Sequence, residues 1–366
     1  MNREVTLRQT AFMYLFISLS PILRQIPNAV ASEAGRSGYL SPLWSLVPIF
    51  LLTAILIAVI KTFPGLNIYE IMVQLIGKFF AKLIIFLYLL WILLSIVSKI
   101  NIYALTIQFT LMPQTRSNYF MIILILLVYF ALNRGAKTVF RFSEFTLGPI
   151  LFLFAVLFLC ALTRLRTDYL LPVSTINIPS TIFASKDVIA VGGNIIVILF
   201  FADKFGITIT KSQIRKLWGG VLVFVILSFV ITIFTFGITG ADFTASASFP
   251  FYMTVKSISF FNIFERFEVL VTLFCVLSDF IAICIMAFLV LRCFEWIFNL
   301  KQGKIIAVPL TVLIFYLTYY ISSTQFEFNF LYRTIIVNVN LIFQYVIPAL
   351  LGFLCLIKRK KIQKQF

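Results

Sequence analysis

Three charged residues, Arg24, Lys99 and Asp279, stand inside apolar runs. At the centre of a bilayer an ionisable side chain costs at least about 2.5–3.5 kcal/mol on insertion scales, so each needs a reason. Arg24 lies in Phe16-Ile-Ser18-Leu-Ser20-Pro21-Ile22-Leu-Arg24-Gln25-Ile-Pro27-Asn28. Its guanidinium suits a ligand carboxylate or a buried acid; the competing role is snorkelling to an interface or capping freed carbonyls. Lys99 is 17 residues past Lys82 and 14 before Pro113, and Asp279 is 11 past Glu268 and 13 before Arg292. The helical rise puts both at mid-depth. A Lys99–Asp279 pair, which would neutralise two costly charges, is expected; separate positions along a wet path are the alternative. Lys99, Tyr103 and Thr106 share one helix face by their i, i+4, i+7 spacing. That stripe serves either a ligand or interhelical hydrogen bonding.

The same inventory excludes other chemistry. There is no His in the chain, which removes the commonest metal ligand and general base. Cys160, Cys275, Cys284, Cys293 and Cys355 lie in apolar stretches with no C-x-x-C pair and read as small apolar fillers. No nucleophile–base arrangement is visible, so an enzyme is not expected, and neither is a cofactor or metal. The net charge of +17 reflects Lys and Arg in loops between apolar runs, a membrane-topology pattern; no nucleic-acid partner is expected.

The elements that hold these residues are set by composition. Of 366 residues 61% are hydrophobic and 12% charged, against about 25% charged in a soluble domain. A soluble enzyme is excluded. Runs of the length that crosses about 30 Å of hydrocarbon as a helix predict ten spans: 7–33, 41–60, 79–112, 119–132, 145–163, 182–205, 218–239, 267–298, 305–322 and 335–357. The expectation is one polytopic domain over 1–366, all-α, without a cleavable leader. About 20 of the 30 Lys and Arg fall on the side of the amino terminus, which predicts cytoplasmic termini. Glu70 and Glu144, at helix ends, are expected to pair with nearby Lys or Arg.

Two spans carry interruptions. Pro21 and Pro27 each remove a backbone donor from the first. The sixth contains Gly192-Gly193-Asn194, a pair of glycines where a helix unwinds easily. Interruptions in the first and sixth of ten spans occupy corresponding positions of two five-helix halves, about 7–163 and 182–357. Such matched breaks point to a site at the midplane of an inverted repeat. The expected ligand-binding set is Ser18, Ser20, Pro21, Ile22, Arg24 and Gln25 facing Gly192, Gly193 and Asn194, with Lys99, Tyr103 and Asp279 alongside.

Four segments resemble the B subunit of spore nutrient-germinant receptors, a family with the amino-acid/polyamine/organocation (LeuT-like) permease fold. They are Pro27 through Ala34-Gly35 to Gly38-Tyr39-Leu40-Ser41; Phe63-Pro64-Gly65 with Tyr69-Glu70 and Leu75-Ile-Gly77-Lys78; Asn133-Arg134-Gly135 with Arg141 and Glu144; and Phe249-Pro250 with Ser257-Ile258-Ser259 and Glu265-Arg266-Phe-Glu268. The resemblance implies an amino acid or similar nutrient as ligand and the spore inner membrane as location. It also implies an A subunit and a C-subunit lipoprotein as partners. Family members often have an acidic residue where Gly193-Asn194 stands here, Trp at Cys275 and at Tyr39, and a basic residue at Ala282. These departures lie near the expected pocket, so the resemblance implies the fold and the ligand class but not which nutrient is bound. A proton- or sodium-coupled amino acid permease is the alternative function.

Overall fold

The computed structural model describes residues 7–171, 177–205, 210–257, 267–300, 303–321 and 330–362. Ile258, Ser259, Glu265 and Arg266, quoted in the resemblance, lie outside them. Every regular element among the described residues is helical. Hydrocarbon offers backbone groups no water, and a helix pairs them within one segment.

The first interrupted span is α1 (Leu7–Arg24) and α2 (Ile26–Ala34). Then come α3 (Leu46–Thr62), α4 (Ile68–Ile76), α5 (Lys78–Thr110), α6 (Ser117–Arg134) and α7 (Ala136–Ala161). The second interrupted span is α8 (Ile178–Gly192), a 3-10 turn at Gly193–Ile196 and α9 (Val197–Phe200). The remainder is α10 (Lys211–Thr239), α11 (Ala241–Ser246), α12 (Pro250–Lys256), α13 (Phe267–Phe298), α14 (Ala307–Ile321), α15 (Val337–Leu341) and α16 (Ile347–Ile362). Single π-helical turns at Tyr332–Ile336 and Ile342–Val346 flank α15.

Among the described residues, eight helical stretches are long and apolar enough to cross a bilayer. Two of the ten expected spans do not stand as separate long stretches among the described residues. The stretch Ile26–Thr62 joins the end of the first expected span to the second, leaving α1, which Gln9 and Arg24 make less apolar. The ninth expected span contains α14, a shorter apolar helix of which 15 residues, Ala307–Ile321, are described.

Burial sorts the helices into layers. The most apolar 18 residues of Ile178–Phe200 and of Glu268–Phe298 are 78% buried, against 33% in Ser117–Arg134 and 28% in Ala136–Arg164. A helix apolar and enclosed all round is central; α13 fits, with Ile281 through Ala287 buried without a break. It packs along α5 and α1, and α1 also packs on α10. The outer helices show large apolar side chains such as Phe79, Phe145 and Phe152, which a lipid solvent accepts without penalty.

Local chemistry ends the helices where the packing needs reversals. Gly77 and Gly135 adopt φ of +86° and +94°, a conformation that Cβ disfavours, and each is the single residue joining two helices. Asn67 Oδ1 accepts the Glu70 N–H at 3.0 Å while Glu70 Oε2 accepts the Asn67 N–H at 2.9 Å. This capping box satisfies two orphan donors at the start of α4. Glu70 was expected to pair with a Lys or Arg; the backbone takes its carboxylate instead. Glu144 accepts from Gln9 Nε2 at 3.2 Å. Asn67→Ala removes the cap and is expected to cost about 1 kcal/mol. The check is a lower thermal midpoint of the purified protein; an unchanged midpoint counts against the cap.

Candidate ligand-binding site

Arg24 ends α1, and its guanidinium meets the Asp279 carboxylate of α13, with side chains 4% and 0% exposed. Nη2 donates to Asp279 Oδ2 and to Ser20 Oγ. Nη1 donates to Thr106 Oγ1 at 2.7 Å and to the Ile102 carbonyl at 3.3 Å. Both ionised groups have left water, at a cost of several kcal/mol each, and only the pair with its surrounding hydrogen bonds makes this tolerable. Arg24 Nε and Asp279 Oδ1 have no hydrogen-bond partner among the described residues. One donor and one acceptor of the pair are thus unused.

Lys99 does not pair with Asp279 as expected. Its Nζ donates to the Ile17 carbonyl at 2.8 Å. The reason lies in α1: Pro21 has no N–H, so the carbonyl four residues earlier, that of Ile17, has no partner within the helix. The ammonium of Lys99 supplies one, and the Asp279 carboxylate goes to the better-matched planar fork of Arg24. The roles first weighed for Arg24 are therefore divided: Arg24 neutralises the buried acid, and Lys99 caps the freed carbonyl. Ser278 adds a second tie, donating Oγ to the Phe16 carbonyl at 2.8 Å.

The interruptions are milder than unwound helices. Gln25 keeps right-handed helical angles (φ −107°, ψ −45°), and its N–H still reaches the Pro21 carbonyl at 2.9 Å. Gly192 and Gly193 are also right-handed, at φ −64° and −67°, so conformational freedom is not their use. Close approach is. A Cβ at Gly193 would lie 2.2 Å from Gln344 Oε1, and one at Gly192 the same distance from Ile49 Cδ1. The 3-10 turn that follows tightens the helix and redirects its carbonyls. Val191 O accepts Asn194 Nδ2 at 3.0 Å and Ser18 Oγ at 3.3 Å, and Ile189 O accepts the Tyr345 hydroxyl at 2.9 Å.

A cavity of about 40 Å³ lies against this network, lined by Ser20, Pro21, Gln25, Ser95, Ser98, Lys99, Ile102, Val191, Asn194, Met286, Ile336 and Asn340. That is room for about one water. Beyond Arg24 a smaller void of about 10 Å³ is lined by Arg24, Thr106, Phe249, Tyr252 and Cys275, among others. Of the expected set, Ser20, Pro21, Gln25, Lys99 and Asn194 reach the larger cavity. Ser18, Gly192 and Gly193 are engaged in helix packing, and Ile22 and Tyr103 sit in the apolar core.

The tenth expected span supplies partners that spacing did not single out. Gln344 Nε2 donates to Asn194 Oδ1 at 3.0 Å, and Trp91 Nε1 donates to Asn340 Oδ1 at 2.8 Å. Two amide side chains four residues apart in an apolar run were the available signal. At the far end of the same helices, Arg292 pairs with Asp203, donates to the Phe200 carbonyl and lies over the rings of Phe201 and Trp296.

A polar, charge-bearing centre enclosed by long apolar helices, with two central helices interrupted beside it, defines a transporter-like polytopic membrane protein. The chain matches the spore germination protein (spore permease) family over residues 4–328. It belongs to that family. A comparison with curated proteins finds no match.

Two double-mutant cycles test the network. Asp279→Asn or Arg24→Gln alone leaves one buried charge unpaired and is expected to cost about 3–5 kcal/mol, while the double variant recovers part of the loss. Strictly additive losses in thermal stability would remove the coupling. Lys99→Met strands the Ile17 carbonyl. Pro21→Ala restores the N–H that carbonyl lacks, so Lys99→Met should do less damage to folded yield in the Pro21→Ala background than alone.

Proposed function

We propose that this chain is the ligand-binding membrane subunit of a spore nutrient-germinant receptor, and that Arg24 and Asp279 take the two ends of a zwitterionic amino acid or similar nutrient. The observation that carries the reading is the buried ion pair with an unused donor at Arg24 Nε and an unused acceptor at Asp279 Oδ1. A zwitterion offers the complementary pair: a carboxylate for the guanidinium and an ammonium for the acid. It can replace each charge's partner without leaving either unpaired, which a neutral or singly charged ligand cannot do. Family membership supports the germination role.

On this reading the spans adopt the ten-helix, five-plus-five LeuT-like arrangement, with α1–α2 and α8–α9 as its interrupted helices. The chain resides in the spore inner membrane with both termini cytoplasmic, beside an A subunit and a C-subunit lipoprotein. The enclosed cavity of about 40 Å³ must widen to admit a ligand. A nutrient that binds only the widened state shifts the equilibrium toward it, and that shift is what the partner subunits read.

The test uses spores and purified protein together. Among the common L-amino acids, one that triggers a response is compared with its amide, which lacks the carboxylate, and its N-acetyl form, which lacks the ammonium. Both derivatives should fail. Arg24→Lys keeps charge without the fork and should raise the half-response concentration about tenfold or more, and Arg24→Gln further, each read on the protein that survives in the membrane. A response retained by either derivative, or unchanged sensitivity in surviving Arg24→Gln protein, would overturn the assignment. Uptake of the amino acid into proteoliposomes would favour the permease instead.

A further inference from the structure

A groove of about 800 Å³ runs between α3, the first turns of α10 and α16, well away from the central network. Small residues make it. Ala54 and Ala58 are exposed one turn apart on α3, and α16 comes against the same helix at Gly352, where a Cβ would lie 2.6 Å from Ile55 Cγ2. Phe353 and Leu356 form a side wall. At one end stands Lys61, in the last turn of α3, while Trp218, whose indole packs on Phe50 at a centroid distance of 4.8 Å, lines the wall further along. The Lys61 ammonium is exposed and engaged by no carboxylate or carbonyl among the described residues.

This end of the bundle is the basic one. Lys211, Arg215 and Lys216 open α10 around the groove residue Ile214, and Lys358-Arg359-Lys360-Lys361 follow Leu356 in sequence. In a bilayer a recess on the outer face is filled by an acyl chain or by another helix. There is no hydrophobic gain in choosing between them, because lipid tails are as apolar as side chains. Shape and charge decide. An exposed cation at the end of an apolar recess suits headgroup depth, and basic recesses between helices on the positively charged side bind anionic headgroups. A second copy docked here would bring two basic ends together, which like-charge repulsion opposes.

We propose that the groove binds one anionic phospholipid, with an acyl chain along Ala54, Ala58 and Gly352 and the phosphate at Lys61. The site is separate from the central pair and does not depend on the nutrient reading.

Full-length chain purified in detergent is titrated with phosphatidylglycerol and with phosphatidylcholine carrying the same acyl chains. Retained lipid is counted by native mass spectrometry, and thermal midpoints are recorded alongside. One phosphatidylglycerol per chain should be retained in preference to phosphatidylcholine, with a larger rise in midpoint. Lys61→Gln should weaken phosphatidylglycerol binding about fivefold and leave phosphatidylcholine unaffected. Ala58→Phe fills an exposed position without entering the core and should remove the bound lipid. Equal retention of the two lipids, wild-type binding by either variant, or a dimer that Ala58→Phe dissociates would each overturn the proposal, the last by showing that a second copy fills the groove.

Discussion

Two opposite charges facing each other inside an apolar bundle leave the surrounding helices little freedom. Arg24 and Asp279 are enclosed to 4% and 0% exposure, and in that setting the loss of either partner is far more costly than its presence is stabilising. The effect on the fold is one of register. A slide of α13 by one turn along α1 would separate the carboxylate from the guanidinium by about 5 Å. The other arm of Arg24 reaches Thr106 and Ile102 on α5, so three helices meet at one side chain. The outer helices, whose surfaces lipid can cover, have no such constraint.

Around this point the backbone is arranged to keep every redirected carbonyl paired. Pro21 frees Ile17 O, and Lys99 crosses from α5 to take it. At the 3-10 turn after Gly192, Val191 O takes Ser18 from α1, and Ile189 O, which still accepts the Gly193 N–H, also takes the Tyr345 hydroxyl from the tenth expected span. The π-helical turn at Ile342–Val346 is the matching irregularity on that side, since Gln344 and Tyr345 both belong to it. Irregular backbone at membrane depth is tolerated only where protein groups satisfy it. Here they come from other helices, so each local distortion is also an interhelical contact.

What could be read from the residues follows from how local the signal is. Pro21 and the Gly192-Gly193 pair mark their interruptions because proline and glycine act on their own backbone. The depth of Lys99 and Asp279 follows from counting residues along a helix. Which charge meets which does not, because it depends on how three helices are rotated about their axes. The glycine pair illustrates the same divide. Its position was legible, but its use, admitting Gln344 and Ile49 at short range, requires knowing the neighbours. Asn340 and Gln344 passed unnoticed because the run around them reads as ordinary lipid-facing helix. Gln344 falls within the π-turn and is buried, and Asn340, on α15 just before it, is half-buried.

The separation of Arg24 and Asp279 in the chain, 255 residues, also sets a schedule for biogenesis. Chains emerge at about 5–20 residues per second, so α1 enters the membrane roughly a quarter of a minute to a minute before its counter-charge is made. During that interval the guanidinium must be held at the headgroup level or by the insertion machinery. Lys99 arrives sooner but brings the same sign of charge. The helix that carries Arg24 is therefore made well before the acid that fixes its depth.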